Sequence, residues 1–244
     1  MGERTNATGP KNQQTNKPAN QSTMTNKTLL IIGASKGIGR HAVDCALASG
    51  CSVRAMARGA DRIDLEHERL EKFPGDATDA DDVRRALDGV DAVILAIGMP
   101  AGITRLLRPV TVFSRSTEVL VDEMEANGPK RLVAVTGFGA GETRSAMNAV
   151  EELGHNMVLG RAYADKSVQE KIVERSSLDW TIVRPTILTN GRATGKYKAL
   201  VDPESWRNGF ISRADVAEFL VECALDAKHL HEAPVLTDGC LPTI

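Results

Sequence analysis

Four consecutive apolar residues, Leu29-Leu30-Ile31-Ile32, run without a break into Gly33-Ala34-Ser35-Lys36-Gly37-Ile38-Gly39. An apolar run this short and unbroken reads as a strand buried on both faces of a parallel sheet. Behind the turn, Ile38, Ala42, Cys45 and Ala46 recur at helical spacing and Gly50 supplies a stop, which predicts a helix over 38–49. The glycines have separate jobs in such a joint. Gly33 lets the chain leave the strand tightly, Gly37 lets backbone approach a bound group, and Gly39 lets the helix pack closely on the strand. The first turn of the helix offers unpaired N–H groups and the positive end of a dipole, so the joint is a cradle for phosphate. Its place between a buried strand and a helix start is the setting of a dinucleotide-binding turn, with Gly33, Ser35, Lys36, Gly37 and Ile38 as the contacting residues.

Strands and helices alternate along the rest of the chain. Further strands are expected over 51–57, 71–73, 91–97, 131–136, 180–183 and 234–236. Helices are expected over 79–87, capped by Asp79 with Asp81 and Asp82 in its first turn, and over 111–126, 165–175 and 212–225. This alternation predicts an α/β fold: a single Rossmann-type, doubly wound parallel sheet with helices on both faces, in strand order 3-2-1-4-5-6. Its ligand crevice lies at the carboxyl ends around the first and fourth strands.

Composition narrows the setting. A chain of 244 residues suits one large domain, and 42% hydrophobic content is ordinary for a globular protein. Residues 1–26 are rich in Asn, Gln, Thr, Lys and Pro and are expected to be disordered, leaving 27–244 as the folded domain. A net charge of -2 gives no footprint for nucleic acid or an anionic membrane. Cys45, Cys51, Cys223 and Cys240 show no C-x-x-C or metal-ligand spacing, and the five histidines form no metal pattern. No apolar run reaches a membrane span, and no signal-peptide core is present, so a cytoplasmic location is the expectation.

Cofactor choice falls at the end of the second strand, where an acidic residue would bind the ribose 2′-hydroxyl. The chain reads Val53-Arg54-Ala55-Met56-Ala57-Arg58-Gly59 instead. Arg58 is placed to meet a 2′-phosphate, with Lys36 as a second cation, so NADP is favoured. Asp61 close by keeps NAD as the alternative.

Four stretches together carry a family resemblance: Gly33 to Gly39, Gly75-Asp76-Ala77-Thr78-Asp79, Asp179-Trp180-Thr181-Ile182-Val183-Arg184-Pro185, and Ile211-Ser212-Arg213-Ala214-Asp215-Val216-Ala217. The chain resembles atypical short-chain dehydrogenase/reductases from about residue 29 to 225, and is most similar to the NAD(P)H-binding group that includes NmrA-like sensors and biliverdin/flavin reductase-like enzymes. The resemblance implies that Asp76 and Ala77 meet the adenine and that Ala96, Ile97 and Gly98 line its side of the crevice. It also implies that Thr136, Gly137 and Lys166 lie at the nicotinamide ribose, and that Pro185, Thr186 and Ile187 lie at the carboxamide. Arg184 is expected to pack structurally, its side chain alternating away from the crevice.

The familiar branch of that superfamily uses a Tyr-x-x-x-Lys pair in which Tyr is the general acid. Here Lys166 is followed four residues on by Glu170, and the Tyr position holds Ala162. Tyr163 is adjacent, but one residue of helix turns a side chain by roughly 100°, which predicts that it points elsewhere. The substrate-steadying serine is also missing, with Thr136 as a partial substitute. Lys166, Thr136 and Tyr163 are the catalytic candidates. Two readings stay open. One is an NADPH-dependent reductase passing hydride to a small electron-poor acceptor (flavin, quinone or carbonyl). The other is a non-catalytic NADP(H)-binding sensor reporting to a protein partner. In the first, residues 98–109 and the stretch after Thr136 form a lid, and Met99, Phe138, Ile187 and Trp206 form an acceptor pocket.

Overall fold

The apolar run opens the central strand of the molecule: β1 (Thr28–Ile32) lies between β2 (Ser52–Ala57) and β4 (Ala92–Leu95), parallel to both. The computed structural model describes residues 26–98, 110–146 and 160–240. The leader expected over 1–26, all but its last residue, and most of the lid expected over 98–109 fall outside these.

β1 shows why an apolar run without alternation suits this position. Leu29 and Ile31 join one buried cluster, with Ala42 and Val43 of α1 (Gly37–Ala48) and Val216 and Leu220 of α5 (Arg213–Asp226). Leu30 and Ile32 join a second cluster on the opposite face, with Val83 of α2 (Ala80–Leu87) and Leu120 and Met124 of α3 (Val112–Asn127). Apolar side chains are needed on both sides, so helices cover both faces.

The sheet completes the expected order and extends it. With β3 (Leu70–Pro74), β5 (Arg131–Val135), β6 (Asp179–Pro185), β8 (Lys198–Leu200) and β10 (Val235–Thr237), it runs β3-β2-β1-β4-β5-β6-β10-β8, and only β8 is antiparallel to its neighbour. A second, small sheet joins β7 (Ile187–Thr189), β9 (Gly209–Ser212) and β11 (Gly239–Cys240). One residue, Thr186, separates β7 from β6, so the small sheet continues beyond the carboxyl end of the large one.

The departures from expectation have local causes. Helix α4 covers Gly160–Arg175, five residues more at its start than the sequence pattern suggests. Its buried face carries Asp165, Lys166, Gln169 and Glu170 beside Ala162 and Val173, so it has no apolar stripe to reveal it. Strand β6 likewise runs on through Arg184 and Pro185, where it pairs with Val235 and Leu236 of β10, and the Arg184 side chain finds a buried partner. Strands β7, β8, β9 and β11 are four residues or shorter, too brief to show a period.

Candidate functional site

The glycine turn is shaped by close approach. Gly33 has φ +89°, and a Cβ there would lie 2.5 Å from the Ala96 carbonyl oxygen at the end of β4. The carboxyl ends of β1 and β4 therefore meet over a residue that has to be glycine. At Gly39 a Cβ would come within 2.4 Å of the Gly33 carbonyl oxygen, which seats α1 directly on the strand it follows. Lys36 occupies the N-cap of α1 without a side-chain cap bond, and Ser35, Lys36 and Gly37 are exposed while Ile38 is half-buried. Among the described residues beyond its own turn and helix, the nearest atom to a Cβ built at Gly37 is Arg213 Nε, at 4.0 Å. Unpaired amides facing open space fit a phosphate group.

On the other side of the turn, Arg58 is exposed just past β2, and Asp76 and Ala77 are half-buried past β3. The Asp76 carboxylate accepts from the Thr78 amide at 3.0 Å and the Thr78 hydroxyl at 2.8 Å through one oxygen, Oδ1. Its own amide donates to Asp82 at 2.8 Å. The Thr78 bonds, with a contribution from the Arg58 charge, hold the Asp76 carboxyl below its ordinary range. Arg58 and Asp76 thus share one electrostatic neighbourhood. Ala96 is buried, Ile97 half-buried and Gly98 exposed, so the chain emerges toward the crevice as it leaves β4.

Beyond β5 the character changes. Thr136 and Gly137 are buried, and the Lys166 ammonium donates to the Thr136 carbonyl at 2.7 Å with the Phe113 ring centre 4.6 Å away. Burial pushes the Lys166 ammonium down to about 8, against the opposing pull of Glu170 and Asp165. The Thr136 hydroxyl donates to Glu170 Oε1 at 2.6 Å, and its proton is thereby committed. This corrects the expectation that Thr136 stands in for the missing serine: it braces Glu170. Arg184 clasps the same carboxylate through Nη2 to Oε2 at 2.8 Å and Nε to Oε1 at 3.1 Å, both residues being 1% exposed. Arg184 is structural, as expected, although its partner was not foreseen.

Tyr163 is the clearest correction. Its phenol oxygen lies 2.9 Å from where a Cβ of Gly137 would be, so Tyr163 does reach the carboxyl end of β5. The rotation argument fails because Tyr is long and Gly137 leaves room for the ring. Burial raises the phenol above its ordinary value, so it holds its proton at neutral pH. Pro185 and Thr186 are buried and braced: the Pro185 carbonyl accepts from the Phe138 amide at 3.0 Å, and the Thr186 hydroxyl donates to the Leu236 carbonyl at 3.0 Å.

Of the four acceptor-pocket candidates, Phe138 is packed at 5% exposure. Trp206 is half-buried, donates to the Leu200 carbonyl and lies under the Arg184 guanidinium at 5.4 Å. Ile187 is open at 45% exposure, and Met99 lies outside the described residues. The sequence reading missed Asp165, Gly141 and the part played by Glu170. Asp165 accepts from the Phe113 amide at 2.9 Å and the Ser114 amide at 3.3 Å, capping α3 from another helix, whereas the α3 N-cap residue Thr111 makes no side-chain cap bond. A Cβ on Gly141 would fall 1.9 Å from Glu170 Oε2, so this glycine leaves room for the buried carboxylate. The one signal for Glu170 in the sequence is its i,i+4 relation to Lys166, which puts both on one helix face.

A mostly parallel α/β sheet covered by helices on both faces, with a glycine turn where the carboxyl ends of β1 and β4 meet, defines a nucleotide-binding Rossmann protein. The comparisons with known proteins agree. A family model described as NAD(P)H-binding matches residues 33–227, and the chain belongs to that family. It is 30% identical over 218 residues to a Bacillus subtilis (strain 168) protein named as the uncharacterized sugar epimerase YhfK, covering 88% of this chain and 95% of that one. Among solved structures it is similar to ChuY of Escherichia coli O157:H7, described as an anaerobillin reductase, with TM-score 0.72 and 26% identity over 89% of this chain and 100% of the other. A Veillonella parvula short-chain dehydrogenase/reductase solved in complex with NADP shares the fold, with TM-score 0.72 at 16% identity over 87% and 95% of the two chains. No helix among the described residues is long and apolar enough to cross a membrane.

Proposed function

We propose that this protein is an NADPH-dependent oxidoreductase of the atypical short-chain dehydrogenase/reductase type, acting on a small electron-poor acceptor such as a flavin, quinone or carbonyl compound. The observation that supports the reading is the glycine turn at the carboxyl ends of β1 and β4, with exposed Arg58 just past β2 and half-buried Asp76 just past β3. Lys166 bonds the carbonyl just past β5, and Tyr163 lies against Gly137 there. Arg58, with Lys36, selects the 2′-phosphate and hence NADP over NAD. The α1 amides from Ser35 to Ile38 take the diphosphate, and Asp76 Oδ2, which makes no hydrogen bond among the described residues, accepts from the adenine amino group. Ala77, Ala96, Ile97 and Gly98 wall the adenosine.

When bound, the reduced nicotinamide supplies the hydride. Lys166 holds the ribose hydroxyls, anchored by its bond to the Thr136 carbonyl, and Gly137, Pro185, Thr186 and Ile187 line the ring. Tyr163 keeps its proton at neutral pH and is the donor in reach of the acceptor's developing charge; water is the alternative source. Orientation supplies most of the acceleration, worth roughly 7–11 kcal/mol in well-placed reactions. The reductase named for the ChuY structure supports this class of chemistry, as does the NADP in the Veillonella structure.

A second reading has one observation in its favour: the polar side chains of Thr136, Glu170, Arg184 and Thr186 are all spent on one another or on backbone. That rigidity suits a sensor which holds NADP(H) and reports to a protein partner. The experiment is steady-state NADPH oxidation by the full chain against quinones, flavins and aldehydes, with Tyr163→Phe in parallel. Turnover that falls in Tyr163→Phe without loss of NADPH binding supports the reductase. Cofactor bound with silence across the panel supports the sensor.

A further inference from the structure

Arg213, the first residue of α5, stands at the mouth of the glycine turn, although it is 176 residues away in sequence from Gly37. We propose that Arg213 is a third cation of the cofactor site and the side chain that meets the diphosphate over Gly37, a role that rests on the dinucleotide reading above.

Three observations combine. Among the described residues beyond its own turn and helix, the nearest atom to a Cβ built at Gly37 is Arg213 Nε, at 4.0 Å. An anion lying on the amides at that point would have the guanidinium close at hand. Next, the guanidinium is fixed from behind. Nη1 donates to the Thr189 carbonyl at 3.2 Å and to Asn190 Oδ1 at 2.6 Å, both neutral acceptors. Nε and Nη2 make no hydrogen bond among the described residues, which leaves three N–H donors free. A preorganised donor loses less entropy on binding than a free one.

Finally, the charge has no counter-ion among the described residues. The nearest carboxylate in sequence, Asp215, is fully committed: Oδ1 accepts from the Thr194 amide at 2.7 Å and the Gly195 amide at 2.8 Å, and Oδ2 accepts from the Ser212 hydroxyl at 2.7 Å. Arg213 forms no ion pair among the described residues, unlike Arg40 with Asp44 on the neighbouring helix. A half-buried guanidinium beside the glycine turn, with free donors and no carboxylate partner among the described residues, is arranged for an oxyanion. Packing of α5 on α1 in the Leu29 cluster sets the separation between the two.

The test is calorimetric titration of the full chain and its Arg213→Gln variant with NADP+, NAD+ and ADP-ribose, together with the ligand-free melting temperature. All three ligands carry the diphosphate, so the variant should lose affinity for each by the same factor, roughly tenfold to a hundredfold. The melting temperature should not change. Unchanged affinities overturn the proposal. A loss accompanied by a lowered melting temperature also overturns it, because Arg213 would then be a brace for the Thr189–Asn190 turn. Wild-type protein that binds none of the three is a different result: it removes the dinucleotide reading itself.

Discussion

The glycine turn and the carboxyl ends of β5 and β6 are built on opposite plans. At the glycine turn the groups that would touch a ligand have no partner among the described residues or are exposed: the turn amides, Lys36 and Arg58, and a half-buried Arg213 without a counter-ion there. At the end of β5 and β6 the polar groups are tied together, Lys166 to Thr136, Thr136 to Glu170 and Glu170 to Arg184. On the proposed reading, the open end would gain its energy from the ligand. The closed end is held rigid before any ligand arrives, which is how a reacting group is positioned without reorganisation. Stability and binding should therefore separate along the crevice.

The largest expected effect lies at the closed end. Glu170→Ala leaves Arg184 buried and unpaired, which should cost roughly 3–5 kcal/mol in chemical denaturation. Replacing both residues with apolar ones of similar volume should cost less than either single truncation. Equal losses would mean that the pair is not a unit. Next comes the open end: Arg58→Ala should weaken NADPH by roughly 1.5–3 kcal/mol while leaving NADH and the denaturation midpoint almost unchanged. Equal weakening of both nucleotides would remove the argument for NADP.

A pH titration probes the link between the two ends. The Lys166 ammonium is pushed down to about 8, so it is charged below that pH and neutral above it. Cofactor binding that uses the ammonium should be full at neutral pH and weaken above about pH 8, by up to tenfold per pH unit or about 1.4 kcal/mol. Lys166→Met should flatten the profile. The smallest effect is a control: Asp79 caps α2 through the Asp81 and Asp82 amides, and Asp79→Ala should cost about 1 kcal/mol of stability with no change in nucleotide affinity.

The same contrast explains what could be read from the sequence. The open end is made by consecutive residues: a strand, a turn, a helix start and the residue just past β2. Its glycines and Arg58 sit where local geometry alone assigns them, and the strand order follows from alternation. The closed end joins Phe113, Thr136, Gly141, Lys166 and Arg184, which meet only when β5, β6, α3 and α4 pack. Polar residues on the buried face of α4 hid both its start and its role. Tyr163 was misread because side-chain reach depends on what stands opposite, here a glycine. Arg213 could be quoted as part of a motif, but its nearness to Gly37 exists only once α5 lies against α1.

The most direct measurement is calorimetric titration of the purified full chain with NADPH and NADH under identical conditions. The account predicts saturable one-to-one binding of NADPH, with NADH bound clearly more weakly. A flat trace for both nucleotides would contradict it, because amides so placed and cations so exposed would then have no phosphate to meet.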